Sequence, residues 1–158
     1  MGTTGQSGFL RKWFGSVSTK VMNESPSPVL LIPEGANYHG VNKIAYEDIE
    51  QDKSVIEDVA SLADQFGSKI HLIHVENVGT PDPGYYLTEL LKQEYPLVMI
   101  STTTIESDDI AKGISDYCIA HNIDLICLST HKKRFFEQLF DDNISQQMSI
   151  ISRLPLLI

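Results

Sequence analysis

The chain predicts a doubly wound α/β fold: a five-stranded parallel sheet with helices on both faces and an N-terminal helix-strand appendage. Three observations point there. From residue 41 onward, strand-like and helix-like patterns alternate as β-α-β-α-β-α-β-α-β, which implies right-handed crossovers and a parallel sheet. Ile70–Val75 and Ile123–Leu128 are nearly continuous apolar runs, as strands covered on both faces should be. The third observation is a repeat. At an offset of 127, residues 2–30 align without a gap on residues 129–157. Thr3, Phe9, Ser18, Ser25, Pro28 and Leu30 recur as Thr130, Phe136, Ser145, Ser152, Pro155 and Leu157. Trp13 meets Phe140 and Val17 meets Ile144, so the apolar positions keep their register. The repeat divides the chain into the end of one unit (1–34), a linker (35–40) and a complete unit (41–158).

Each element has a local cause. Phe9, Leu10, Trp13, Val17, Val21 and Met22 form a stripe at helical spacing over 9–24, which Pro26 and Pro28 end. Val29–Ile32 is a short apolar strand, and Glu34–Gly40 has linker composition. Asn42–Tyr46 is a strand ending at the acidic pair Glu47-Asp48. Asp52 or Ser54 caps a helix to Phe66 with Val55, Ile56, Val59, Leu62, Ala63 and Phe66 on its buried stripe, and Gly67 stops it. Lys69–Val75 is the next strand. Pro81, Pro83 and Gly84 mark a loop before a short helix over Tyr85–Gln93. Leu97–Thr102 is the third strand, ending in a hydroxyl-rich turn at Thr102–Thr104. Ser107-Asp108-Asp109 caps a helix to His121, and Ile123–Ser129 is the fourth strand. Phe135–Ile151 is mostly helical, and Leu154–Ile158 is the last strand.

Composition excludes several functions. The chain has 158 residues, 42% hydrophobic and 21% charged, with a net charge of −9. That balance suits a globular protein and opposes nonspecific nucleic-acid binding, which needs a basic face. The one basic cluster, Lys132-Lys133-Arg134, reads as a solvated turn. No apolar run approaches the roughly 18 residues of a membrane span, and no signal peptide is expected. Cys118 and Cys127 lie outside any metal or redox spacing and read as buried thiols in a reducing cytoplasm. His71 and His74, three apart on a strand, point to opposite faces and cannot share an ion. No Ser-His-Asp ordering, activated cysteine or metal-ligand spacing marks an enzyme.

Two features suggest a ligand. Gly2-x2-Gly5-x9-Gly15-Ser16 brings bare backbone amides and a hydroxyl together, the chemistry of a phosphate cradle. In a doubly wound sheet, ligands sit beyond the strand carboxyl ends where strand order reverses. The residues so placed are Asp48, Val75–Asn77, Thr102–Thr104 and Ser129–Lys132.

The glycine spacing, the segment Pro26–Ile32, Lys43–Tyr46 with Asp48, and Ile70–Val75 together resemble the universal stress protein family in its tandem form. The resemblance implies an adenine nucleotide alpha hydrolase-like, Rossmann-like fold. It implies ATP as the possible cofactor, with phosphates on Gly2, Gly5, Gly15 and Ser16, an acidic first-strand residue at Asp48 and a base contact at Val75. In the complete unit, Ser129, Lys132, Asp142 and Asn143 stand where the three glycines and the serine belong. These side chains fill phosphate space, and Asp142 adds a repelling charge. The resemblance also implies that last strands pair antiparallel, so Val29–Ile32 should lie against Leu154–Ile158 within the chain or in a homodimer. The expected function is a stress-response binding or signalling module with at most partial nucleotide binding. The alternative is an ATP-binding protein with weak hydrolysis assisted by Asp48 or Lys132-Lys133-Arg134.

Overall fold

A computed structural model describes residues 20, 21, 24–33, 36, 39–47, 53–76, 85–128 and 153–158. The described elements are β1 (Leu30–Leu31), β2 (Lys43–Glu47), α1 (Lys53–Phe66), β3 (Lys69–Glu76), α2 (Tyr85–Glu94), β4 (Ile100–Glu106), α3 (Ile110–His121), β5 (Leu125–Leu128) and β6 (Leu156–Leu157). The expected helices over 9–24 and 135–151 fall mostly or wholly outside the described residues.

The strands form one sheet in the order β1-β6-β5-β2-β3-β4. Five strands, β6 through β4, are parallel, and β1 adds an antiparallel sixth. The chain winds outward from β2 through β3 to β4, then crosses back to lay β5 on the other side of β2. Strand order therefore reverses between β2 and β5.

Both faces are packed. On one, Ile44, Tyr46, Ile70, Leu72, Leu125 and Cys127 meet Ile56, Val59, Ala60 and Ala63 of α1 and Leu91 of α2. On the other, Ala45, Ile73, Val75, Ile126, Leu128 and Leu156 meet Ile114, Tyr117 and Cys118 of α3. The alternation within each strand is the period of two that distributes its residues between two cores.

Helix ends are set by local chemistry. Gly67 stops α1 in a left-handed conformation (φ +65°) while the Ser68 N–H donates to the Ala63 carbonyl at 2.8 Å. Asp109 caps α3, accepting from the Lys112 N–H at 3.0 Å. Asn122 closes α3 with φ 52°, one of the few residues besides glycine that tolerates this region.

The third strand differs from its sequence expectation. It runs Ile100–Glu106, not Leu97–Thr102. Pro96 occupies the second position of a turn in which the Val98 N–H donates to the Tyr95 carbonyl at 3.1 Å, so Leu97 lies in the turn, 87% exposed. Thr102–Thr104 are inside β4, not in a turn after it. Their hydroxyls serve packing: Thr88 Oγ1 is 2.7 Å from Thr102 Oγ1, and Thr103 Oγ1 is 3.3 Å from Tyr117 Oη. β-branched side chains favour the strand.

At the opposite edge, Leu30 stands across from Leu157 and Leu31 from Leu156. Val29 and Ile158 exchange two backbone hydrogen bonds, at 2.7 and 3.0 Å.

The β2–β5 seam is clamped at its start. One oxygen of Asp124 accepts from the N–H groups of Asn42 and Lys43, both at 2.9 Å, and the Asp124 N–H donates to the Lys43 carbonyl at 2.9 Å. Asp124→Ala should lower stability by about 1–3 kcal/mol in denaturant titration, because the partly buried Lys43 N–H and the exposed Asn42 N–H both lose a charged acceptor. Asp109→Ala should cost about 1 kcal/mol by the same measurement, from the lost helix cap.

Candidate functional site

In doubly wound sheets the ligand crevice lies beyond the carboxyl ends of the two strands where the order reverses, here β2 and β5, with β3 alongside. Four described residues stand at these strand ends. Glu47 ends β2, paired with Ile73 on one side and Leu128 on the other. It shares the α3 face of the sheet with Ala45 by strand alternation, and it is only 3% exposed. Leu128 ends β5 and is buried. Val75 and Glu76 end β3.

Val75 presents two different surfaces. Its side chain is buried under α3, where its Cγ1 lies 3.3 Å from the position a Cβ would take on Gly113. It is therefore a packing group, not an exposed wall. Its backbone faces elsewhere. The Ile70 N–H donates to Met99 on the β4 side, whereas the Lys69 N–H donates to Asn42 on the β2 side. Strand alternation then turns the N–H and carbonyl of Val75 toward β2, past the last paired residues Glu47 and Ile73. Any contact Val75 makes with a ligand in the crevice runs through its backbone.

The β3–β4 side is closed. The Glu76 carbonyl accepts from the Ser107 N–H at 3.2 Å, and Ser107 Oγ donates to the Asp109 carbonyl at 2.7 Å. Gly113 permits this closure. An added Cβ would approach Ser107 Cβ at 3.1 Å and Ile105 Cγ2 at 3.3 Å. The other residues expected at the site, Gly2, Gly5, Gly15, Ser16 and Asp48, lie outside the described residues. So do Asn77 and Ser129–Lys132.

Two residues were missed by sequence reasoning. Glu47, the first half of the acidic pair expected after the strand, is instead the last residue of β2 and is buried. Strand length, not residue type, would have told them apart. Gly113 lies within the helix expected up to His121 and drew no reading of its own, although a glycine inside a helix signals a close approach.

Neither cysteine is an activated nucleophile. Burial pushes the Cys118 thiol up to about 12 and the Cys127 thiol higher still, so neither provides a thiolate near neutral pH. His71 and His74 point to opposite faces of β3; His71 contacts Tyr117 of α3. Among the described residues, no three His, Cys, Asp or Glu side chains are grouped to hold a metal ion. A cavity of about 850 Å3 lies at the opposite, amino end of the sheet, between Leu30, Leu62, Phe66, Ile119, Ile123 and Leu157. It is apolar and remote from the crevice.

Comparison with known proteins bears on this geometry. A model of the universal stress protein family matches residues 1–33. No curated protein matches the chain. Among solved structures, a universal stress protein from Archaeoglobus fulgidus DSM 4304 is similar with a TM-score of 0.67 at 17% identity, over 94% of this chain and 55% of that one. This chain thus spans about half the length of that protein. A second universal stress protein from Archaeoglobus fulgidus is similar with a TM-score of 0.52 at 14% identity, over 73% of this chain and 90% of that one. A universal stress protein in complex with cAMP is similar with a TM-score of 0.52 at 12% identity, over 75% of this chain and 96% of that one.

Gly113→Val should lower stability by about 1–3 kcal/mol, read from the thermal or denaturant midpoint. The branched side chain would be forced against Ser107, Ile105 and Val75 at the rim of the crevice.

Proposed function

We propose that this chain, whose residues 1–33 match the universal stress protein family and whose sheet has the fold of that family's solved members, is a stress-response module that binds rather than turns over its ligand. The observation that carries the reading is the coincidence of two things. The family match falls on the segment holding Gly2, Gly5, Gly15 and Ser16, and the described sheet has a strand-order reversal where doubly wound proteins take their ligands.

An adenine nucleotide is the ligand this reading favours. A protein of the same fold is known in complex with cAMP, and the glycine spacing supplies backbone amides for phosphate. In the reading, Asp48 and the Val75 backbone line the base side of the crevice. The complete unit carries Ser129, Lys132, Asp142 and Asn143 in place of the cradle, so ATP held by it alone would be weak. The reading also treats 1–34 as the end of a sister unit. Support comes from register. Leu30 and Leu157 are equivalent in the repeat and stand opposite each other, so the repeat axis passes through that pair. A sister unit, in the same chain or in a homodimer, would extend the sheet beyond β1. The cytoplasm suits the reading, since Cys118 and Cys127 are free and buried. No helix among the described residues is long and apolar enough to cross a membrane.

Titration calorimetry with ATP and with cAMP tests the function. The expected result is weak or no binding by this chain, with at least about tenfold tighter binding by a chain extended upstream to a whole first unit. Equal binding by both would sink the two-unit site, and release of phosphate by the short chain would replace the binding reading with a hydrolytic one.

A further inference from the structure

His71 sits in the middle of β3, between Ala45 of β2 and Ser101 of β4 in register, and is only 4% exposed. α3 covers it. Its Nδ1 is 2.9 Å from Tyr117 Oη, and its Nε2 has no hydrogen-bond partner among the described residues. The Tyr117 ring stacks on His121, with centroids 4.0 Å apart, and His121 lies 5.6 Å from His71. One aromatic stack therefore joins the sheet to the last turn of α3.

The groups that act on the charge of His71, Lys69, His121 and Lys43, are all of one sign; the same face of β2 also carries the carboxyl of Glu47, two residues beyond Ala45. Its own strand contributes Lys69, two residues away on the same face. β2 contributes Lys43, paired in register with Lys69. α3 contributes His121 and the neutral Tyr117, and β4 contributes only the hydroxyls of Ser101 and Thr103. Lys43 Nζ also donates to the His121 carbonyl at 2.7 Å, fastening the same helix end. Burial first, then Lys69, His121 and Lys43, hold His71 well below its ordinary value of 6.5, at about 4.

We propose that the C-terminal turn of α3 is an acid-released latch, closed on neutral His71 and lifted from the sheet when His71 takes a proton. The hydrogen bond itself survives protonation, because Tyr117 Oη can accept from Nδ1–H and donate to Thr103. What fails is the burial of a new positive charge beside two lysines. The cheapest relief is local. His71 is walled by sheet on both sides, but Ile119–Asn122 at the end of α3 are exposed, so lifting that turn brings water to the imidazole. The sign follows from linkage. The closed form binds fewer protons than the open form between about 4 and 6.5, so closure is fully held above about 6.5 and weakens as pH falls toward 4. Opening would uncover Cys118 and Ile123 and deform the wall they give to the apolar cavity at the amino end of the sheet. This goes beyond the nucleotide reading and does not depend on it.

The two cysteines make the latch readable. Cys118 lies in the released turn, and Cys127 lies in β5 under α1. The whole chain is treated with 4,4′-dithiodipyridine from pH 7 to 4.5, rates are referred to an unstructured cysteine peptide, and labelled sites are assigned by mass spectrometry. Cys118 labelling should rise at least about tenfold over that range while Cys127 stays protected. The rise should vanish in His71→Gln, and it should shrink in Lys69→Met, which relieves one of the charges. The latch is overturned if Cys127 labels in step with Cys118, or if both variants keep the wild-type pH dependence.

Discussion

The seating of β5 against β2 is the constraint on which the rest of the structure depends. It is made at the start of the pair by a single carboxylate, Asp124, which holds the amides of Asn42 and Lys43. From there Ile44 runs beside Leu125 and Glu47 beside Leu128. With β3 on the other flank, β2 is buried on both edges and both faces. The chain leaves β2 in one direction and returns on the other side, and the two strands stay paired to their last residues, Glu47 and Leu128. In doubly wound sheets such a reversal is where ligands are taken, whatever the side chains.

The same seam organises the two cores. α1 and α2 lie on the face of Tyr46 and Cys127, and α3 lies on the face of Ala45 and Ile126. α3 is held at both ends by devices that bear on function. Near its start, Gly113 allows the helix to press on Val75 and Ser107, which shuts the β3–β4 side of the crevice and leaves the β2 side as the approach. At its end, Lys43 and the His71–Tyr117–His121 stack tie it to the sheet. The helix thus connects the carboxyl end, where a nucleotide is proposed, with the amino end, where the apolar cavity lies.

Much of this was legible in the sequence. The runs Ile70–Val75 and Ile123–Leu128 announce doubly covered strands, Gly67 and Asp109 announce helix ends, and the alternation announces a parallel α/β sheet. The misreadings share one cause: short-range pattern does not fix where a strand begins or ends. Leu97 looked like strand because it is apolar, but Pro96 commits it to a turn; Thr102–Thr104 looked like a turn because they carry hydroxyls, but cross-strand partners hold them in β4. The His71 cluster was not legible at all, since it joins residues 43, 69, 71, 117 and 121 through tertiary packing alone.

The most direct test of the account is the order of strands about β2 in solution. Nuclear Overhauser contacts between backbone protons should connect Lys43–Glu47 with Lys69–Ile73 on one side and Leu125–Leu128 on the other, both in parallel register, with Tyr46 beside Cys127. Contacts placing Leu125–Leu128 against Ile100–Glu106 instead would abolish the reversal, and with it the crevice and the function assigned to it.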